Sequence, residues 1–256
     1  MSGTLYLVGT PIGNLGDLSP RAQQALEEAD FIAAEDTRVT LKLLNRFGIK
    51  KPLVSYYEHN VRESGERILA RLLAGESCAL TTDAGMPAIS DPGEALVALC
   101  AGAGVPVTAI PGPCAAVTAL ALSGLPTGRF CFEGFLSTSK KSRAEHLEAL
   151  KGERRTMIFY EAPHKLRRTL DDLAAALGGE RGIALCRELT KLHEEVWRGT
   201  LAAAAELYAQ QAPRGEFVLI VAGAPEPEAA APSREAALAL LNDYRERGNS
   251  LKEAAR

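Results

Sequence analysis

CALTTDAGMPAISDPGEALVALCAGAGVPVTAI, Cys78–Ile110, contains one whole strand–loop–helix–strand unit, and its reading decides how the rest of the chain is parsed. Cys78 to Thr81 is a short apolar run suited to a strand, Pro92 to Ala103 a helix, and Val105 to Ile110 a second strand. Between the first strand and the helix, Thr81–Gly93 packs two aspartates, two prolines and two glycines into one loop. Proline fixes dihedrals and removes donors; glycine permits close backbone approach. Such a loop is rigid and presents its amides and carbonyls at fixed positions.

Working outward, the same alternation repeats. Leu5–Val8, Phe31–Ala34 and Leu53–Tyr57 read as strands. Helices are expected after Ser19-Pro20, with serine as cap and proline in the first turn, over Thr37–Phe47 up to Gly48, and over Val61–Ala74. Strands alternating with helices imply a largely parallel sheet. After Pro111-Gly112-Pro113 the pattern changes. A helix rich in alanine, Cys114–Leu122, leads into hairpin-like strands at Phe130–Phe132, Thr156–Tyr160, Gly182–Cys186, Glu194–Arg198 and Phe217–Val221. Helices are expected at Ser139–Leu150, His164–Leu177 and Leu201–Gln210. The expected division is an N-terminal α/β domain over 1–113, a second over 114–223 with a mixed sheet, and a linker and helical tail over 224–256. In that tail the linker is APEPEAAAP (Ala224–Pro232) and the helix Ser233–Arg247.

Composition narrows the class. The chain has 256 residues, 46% hydrophobic and 24% charged, enough to bury a core. No apolar run approaches the roughly 20 residues of a membrane span, and the N-terminus lacks the pattern of a signal peptide, so a cytoplasmic protein is expected. Five cysteines, an odd number without a CxxC pair, read as free thiols rather than disulfides or a zinc site; no metal is expected. A net charge of -3 argues against a general nucleic-acid binder but leaves room for a local basic patch.

Three further loops follow strands. GTPIGNLGD (Gly9–Asp17) departs from GxGxxG, with Pro11 intruding and the helix delayed to Ser19, so a pyrophosphate cradle is poorly supported. AAEDTR (Ala33–Arg38) sets two carboxylates at a strand's carboxyl end, where open α/β sheets bind ligands; Asp36 or Thr37 could equally cap the next helix, and both roles can coexist. IPGPCAA (Ile110–Ala116) joins the two halves. In the second half stand FCFEGFL (Phe130–Leu136), FYEAPHKL (Phe159–Leu166), RELTK (Arg187–Lys191) and GEFVLIVAG (Gly215–Gly223), each weak taken singly.

Together, in order and with compatible spacing from about Leu5 to Gly223, these motifs resemble the tetrapyrrole methylase superfamily. Within it, TPIGNL, AAEDTR, DAGMPAISDPG, PGPCAA, EGFL, FYEAPHKL and RELTK closely resemble the ribosomal RNA small-subunit methyltransferase I family. DAG in place of Gly-Asp-Pro, together with EDTR, favours the RNA branch over the porphyrin branch. The resemblance implies two α/β domains with S-adenosylmethionine held in the cleft between them, and a homodimer. It implies 2′-O-methylation of a cytidine ribose in 16S ribosomal RNA near the decoding centre of the assembled small subunit. Carbonyls and carboxylates suit the cofactor's ribose, sulfonium and amino-acid end. Cofactor contacts are expected from Pro11, Asp83, Ala84, Gly85, Met86, Ile89, Pro111, Gly112, Pro113 and Ala115, and from Tyr160, Ala162 and Leu189. Glu35, Asp36, Glu133 and Lys191 are the candidates for a general base or an alkoxide-stabilising cation, with Asp36 or Glu35 expected to orient the ribose. RNA contacts are expected from Arg38, from Lys140, Lys141 and Arg143, and from Lys165 and Arg167. Family members continue some tens of residues past the linker helix, so the tail ending in SLKEAAR is expected to be shorter than the family pattern. Against this stand a methylase of another substrate, a nicotinamide oxidoreductase with Glu35 or Asp36 on a ribose, and a non-catalytic assembly factor.

Overall fold

The computed structural model describes residues 2–226 and 234–247. The chain divides into a compact unit, Met1–Ala224, and a second unit, Pro225–Arg256. The first unit carries two five-stranded sheets. Strands β1 (Leu5–Val8), β2 (Phe31–Ala34), β3 (Leu53–Ser55), β4 (Cys78–Thr81) and β5 (Val107–Ile110) form an all-parallel sheet in the order β3-β2-β4-β1-β5. Strands β2 and β4 are buried at every residue, because a parallel sheet has helices on both faces. Alternation sorts the side chains. Leu5, Phe31, Ala33, Cys78 and Leu80 pack with Ile68, Leu72 and Leu96 of helices α3 (Val61–Leu73) and α4 (Glu94–Gly102). Val8, Ile32, Ala79 and Ile110 pack on the other face with Ala22, Leu26 and Leu44 of α1 (Pro20–Glu28) and α2 (Thr37–Arg46).

The second sheet has the order β6-β7-β10-β8-β9, built from β6 (Phe130–Gly134), β7 (Thr156–Glu161), β8 (Gly182–Arg187), β9 (Glu195–Thr200) and β10 (Phe217–Val221). Only β6 and β7 run parallel; the other pairings are antiparallel. Met157, Phe159, Leu185 and Leu219 face helices α6 (Lys140–Ala149), α7 (Pro163–Leu177) and α8 (Leu201–Gln210). Ile158, Ala184, Cys186 and Ile220 face the opposite way, onto Ala116, Ala119 and Leu120 of α5 (Ala115–Ser123). The expected mixture of a parallel and a mixed sheet is thus present. All five cysteines are free.

Element ends shift for local reasons. Helix α4 begins at Glu94 rather than Pro92 because Gly93 has φ 154°, and a Cβ there would lie 2.8 Å from the Ala88 Cβ. Strand β5 begins at Val107 rather than Val105, since Pro106 has no N–H for the ladder. Strand β3 stops at Ser55, after which Tyr56 turns fully into the core. In the second unit, α9 spans Arg234–Glu246 and carries an Asp243–Arg247 ion pair at 2.8 Å. Most of the expected linker, the first residue of the expected tail helix (Ser233) and the SLKEAAR segment lie outside the described residues.

Candidate functional site

The loops after β1, β2, β4 and β5 all leave the same carboxyl edge of the parallel sheet, and three of them are fastened backbone to backbone. Thr10 and Gly85 exchange N–H···O bonds of 2.9 and 3.1 Å. Gly9 and Gly112 approach so closely that a Cβ on Gly112 would fall 2.8 Å from the Gly9 backbone, and one on Gly9 2.6 Å from the Met86 Sδ. Only glycine permits this contact, which is the physical reason for Gly9 and for the Gly between Pro111 and Pro113.

These loops form one wall of a cleft of about 450 Å³, within the range of roughly 300–1,000 Å³ typical of small-molecule sites. The opposite wall comes from the second sheet: Tyr160 and Glu161 at the end of β7, Cys186 near the end of β8, and Phe217 and Val218 at the start of β10. Tyr160 Oη accepts the Ala116 N–H at 3.1 Å, supplying a partner to the N-terminus of α5, which has no side-chain cap. Burial pushes the Tyr160 phenol up to about 12, and Phe132 and Phe135 hold the ring edge-on at 5.1 and 5.7 Å.

Backbone strain concentrates here. The three non-glycine residues with positive φ among the described residues are Ala88 at 67°, Glu188 at 52° and Thr190 at 65°. Ala88 lies in the long loop after β4, and the other two bracket Leu189, a cleft residue. Such conformations cost roughly 1–3 kcal/mol each and persist where the surroundings over-determine them. Glu188 accepts from the Glu216 N–H at 2.9 Å and from Lys191 Nζ at 3.0 Å, while Lys191 Nζ also reaches Glu216 Oε2 at 2.9 Å. The Lys191 stem lies across Gly13 of the first loop, where a Cβ would come within 2.5 Å of its Cγ. This strut ties the second half of the site to the first.

The cleft is acidic on one side. Glu35, Asp83 and Asp91 line it. Glu35 is raised above the ordinary carboxylate range by burial first and the Asp91 charge second. Burial also raises Asp83 and Asp91. The backbone knits the first two together: Asp36 N–H donates to Asp83 Oδ1 at 3.2 Å, and Asp83 N–H to Glu35 Oε2 at 3.4 Å. Ile12, Met86, Ile89, Leu189 and Phe135 make much of the remaining lining apolar, with Glu161 and Glu216 beside them on the opposite wall. Among the described residues no three His, Cys, Asp or Glu side chains converge as a metal set.

Of the residues expected from sequence, Asp83, Ala84, Gly85, Met86, Ile89, Ala115, Tyr160, Ala162 and Leu189 line this cleft together. Pro11 lines a neighbouring groove instead. Pro111 and Pro113 flank the Gly9–Gly112 contact without lining the cleft. Asp36 lies just outside: its carboxylate caps α2 by accepting the Arg38 N–H at 2.8 Å and pairs with the Arg38 guanidinium at 2.6 Å, which holds it down to about 2. Glu133 pairs with His146 Nε2 at 2.8 Å, away from the cleft. Arg38, Lys140 and Lys141 are exposed. Lys165 is half-buried, and Arg167 is committed to the Tyr208 carbonyl at 2.6 Å. Arg143 corrects the sequence reading: it is 5% exposed and points inward, with Nε 2.6 Å from Asp172 Oδ2 and Nη2 2.8 Å from Thr169 Oγ1. Sequence reasoning passed over Ile12, Ser90, Asp91, Cys114, Phe135, Glu161, Pro163, Cys186, Glu216, Phe217 and Val218. Asp91 was visible as the second aspartate of the long loop.

The arrangement fits S-adenosylmethionine: carboxylates for a sulfonium, an ammonium and a ribose diol, and an apolar wall for an adenine. A pair of α/β sheets with a cleft of this kind can hold that cofactor between them. A family model described as tetrapyrrole (corrin/porphyrin) methylases matches residues 4–205. Ribosomal RNA small subunit methyltransferase I of Synechocystis is 54% identical over 222 residues, covering 87% of this chain and 80% of that one. The enzyme of the same name from Halalkalibacterium halodurans is 55% identical over 221 residues, 86% and 76% respectively. Among solved structures, diphthine synthase superposes with a TM-score of 0.67 at 16% identity over 86% of this chain and 90% of that one. Uroporphyrin-III C-methyltransferase from Thermus thermophilus, complexed with S-adenosylhomocysteine, gives 0.58 at 21% identity over 86% and 97%. The chain belongs to the tetrapyrrole methylase family and, within it, to the ribosomal RNA small subunit methyltransferase I group. Membership displaces the nicotinamide and non-catalytic alternatives.

Proposed function

We propose that this enzyme methylates the ribose 2′-hydroxyl of a cytidine in 16S ribosomal RNA, near the decoding centre of the assembled small subunit. The observation that carries the reading is the Glu35–Asp83–Asp91 cluster at the open carboxyl edge of the parallel sheet, in a chain 54% identical to a ribosomal RNA methyltransferase. S-Adenosylmethionine, when bound, supplies a methyl group already activated on a sulfonium. The protein's remaining work is positioning, water exclusion and handling one proton. Glu35 orients the ribose hydroxyl and accepts its proton as the O–CH₃ bond forms; its raised affinity for protons makes it a better base than an ordinary glutamate. Asp83 and Asp91 offset the cofactor's positive charges. Lys191 acts as a strut, its ammonium being held by Glu188 and Glu216.

The proposed substrate places the enzyme's action on ribosomal particles in the cytoplasm; no described helix is long and apolar enough to cross a membrane. A homodimer is the expected working form.

The test is transfer of a labelled methyl group to small subunits isolated from cells lacking this enzyme's activity, followed by alkaline hydrolysis of the RNA. A 2′-O-methyl blocks cleavage at its own position, so the label is expected in an alkali-resistant dinucleotide containing cytidine. Label on a base, or transfer only to a tetrapyrrole or a protein, would refute the proposal.

A further inference from the structure

Beside the cofactor cleft runs a second groove of about 440 Å³, between the Gly9–Asp17 loop and helix α2. Asp83 lines both, so whatever enters the groove reaches the place where the acidic cluster begins. The groove has two chemically distinct sides. Pro11, Leu15 and Val39 give it an apolar floor, with Leu15 46% and Val39 37% exposed. Lys42 and Arg46 give it a positive rim. Both cations are exposed, and neither has an ion pair or hydrogen bond to any described residue.

With Arg38 these two make a stripe at i, i+4 and i+8 on one face of α2. Like charges at that spacing destabilise a helix. Arg38 is neutralised by Asp36 and Arg46 is favoured by the C-terminal end of the helix dipole, but Lys42 has neither compensation. Successive positions lie about 6 Å apart along the axis by helical rise, comparable to the backbone repeat of a single nucleic-acid strand. Asn14 adds a polar edge. Its Oδ1 takes the Gly16 N–H at 3.0 Å, which leaves the amide Nδ2 to donate to a base.

We propose that this groove seats the single-stranded RNA next to the target nucleotide, its phosphates on Lys42 and Arg46 and a base on the Pro11–Leu15–Val39 floor. The inference rests on the proposed RNA substrate and deepens it. It commits a specific part of the first sheet's edge to the strand, where an apolar base platform beside a basic track is what single-stranded binding requires.

The experiment compares initial rates on undermethylated small subunits for the wild type, Lys42→Ala/Arg46→Ala, the charge-preserving Lys42→Arg/Arg46→Lys, and Lys50→Ala/Lys51→Ala. The last removes the same charge outside the groove. For the Lys42→Ala/Arg46→Ala enzyme, KM for subunits is expected to rise roughly tenfold or more, and the slope of log affinity against log salt to shrink by about 1.4, or 0.7 for each lost phosphate contact. Its kcat at saturating subunits and its calorimetric affinity for S-adenosylmethionine should match the wild type, and circular dichroism should report the same melting. The charge-preserving pair should restore KM. Unchanged KM and salt slope in the groove variant would overturn the proposal, as would equal losses in the Lys50→Ala/Lys51→Ala control. If the wild type itself methylates no RNA, the substrate reading has failed and the groove assignment falls with it; that outcome is visible in the wild-type lane alone.

Discussion

Replacing Arg143 with alanine separates a structural role from an RNA-binding one. Arg143 is 5% exposed, and its guanidinium donates to Asp172 at 2.6 Å and to Thr169 at 2.8 Å and reaches the Ser137 carbonyl at 3.5 Å. Thr169 Oγ1, itself buried, donates onward to the buried Glu161 of the cleft wall, whose Oε1 takes the Ala162 N–H at 2.9 Å. Breaking a fully buried pair costs about 3–5 kcal/mol. Here Asp172 is 34% exposed and keeps Arg168 at 3.6 Å, so water and a second cation recover part of the loss, and about 2–3 kcal/mol is expected. For a folded unit of this size each kcal/mol moves the melting temperature by about 2–4 °C, giving a fall of roughly 5–10 °C. Thermal and urea unfolding measure it, alongside KM for small subunits. Arg143→Lys should fall in between, since one ammonium can serve Asp172 but not also Thr169 and Ser137. A melting temperature within about 2 °C of wild type combined with a raised KM for subunits would refute the reasoning and return Arg143 to the RNA surface.

Two further outcomes concern the acidic cluster. Glu35→Gln should lower kcat by about 10²–10⁴, the usual worth of a positioned general base, with little change in cofactor affinity. The wild-type rate should rise with pH through the elevated Glu35 pKa and then level, and the variant should lack that limb; an unchanged rate removes Glu35 from the mechanism. Asp91→Asn should raise the melting temperature at pH 7 while weakening cofactor binding in calorimetry. Burial raises the Asp91 pKa in the folded protein. Its stabilising contribution is therefore fully present below the unfolded value, about 3.9, and is lost as pH rises through the folded value. At neutral pH the ionised group is a liability, so the gain from asparagine should vanish in acid; a loss of stability at pH 7 would contradict this.

The parallel sheet was legible because its signals are local. Short, predominantly apolar runs such as FIAA and CALT, each followed by a turn-rich loop and a helix, specify strand, crossover and carboxyl edge without tertiary information. The same logic found Glu35 and Asp83, which lie within two residues of a strand's carboxyl end. It could not find Phe217 and Val218. Strand β10 runs antiparallel to β7 and β8, so its beginning meets the cleft where theirs end, and a rule about carboxyl ends points to the wrong end of it. Phe135 comes from the turn after β6, just past the register shift between Phe132 and Gly134, and its contact with Tyr160 is tertiary. Arg143 misled for a related reason. In KKSRAEHLEA it looks like one more cation on a polar helix, and only the packing of α6 on α7 turns it toward Asp172 and Thr169.

Charge segregation reconciles an acidic chain with a polyanionic substrate. The net charge is -3, and one side of the cleft clusters Glu35, Asp83 and Asp91, whose raised proton affinities record their burial and mutual repulsion. A cationic cofactor relieves that repulsion, so its binding should be favoured by the same field that would repel a phosphate backbone. An RNA strand must nevertheless bring one ribose to Glu35. Lys42 and Arg46 line the neighbouring groove, which shares Asp83 with the cleft, and not the cleft itself; from there they can hold the flanking phosphates while the carboxylates meet only the sugar. Screening limits both effects to about 8–10 Å at physiological salt, which lets opposite local potentials coexist on neighbouring loops. On the proposed reading, the site therefore binds cofactor first: the sulfonium and ammonium lower the negative potential that the incoming strand would otherwise meet. Affinity for undermethylated subunits should accordingly be higher in the presence of S-adenosylmethionine than in that of its neutral-sulfur product, because the two ligands differ by one methyl group and the positive charge that goes with it, beside Glu35, Asp83 and Asp91.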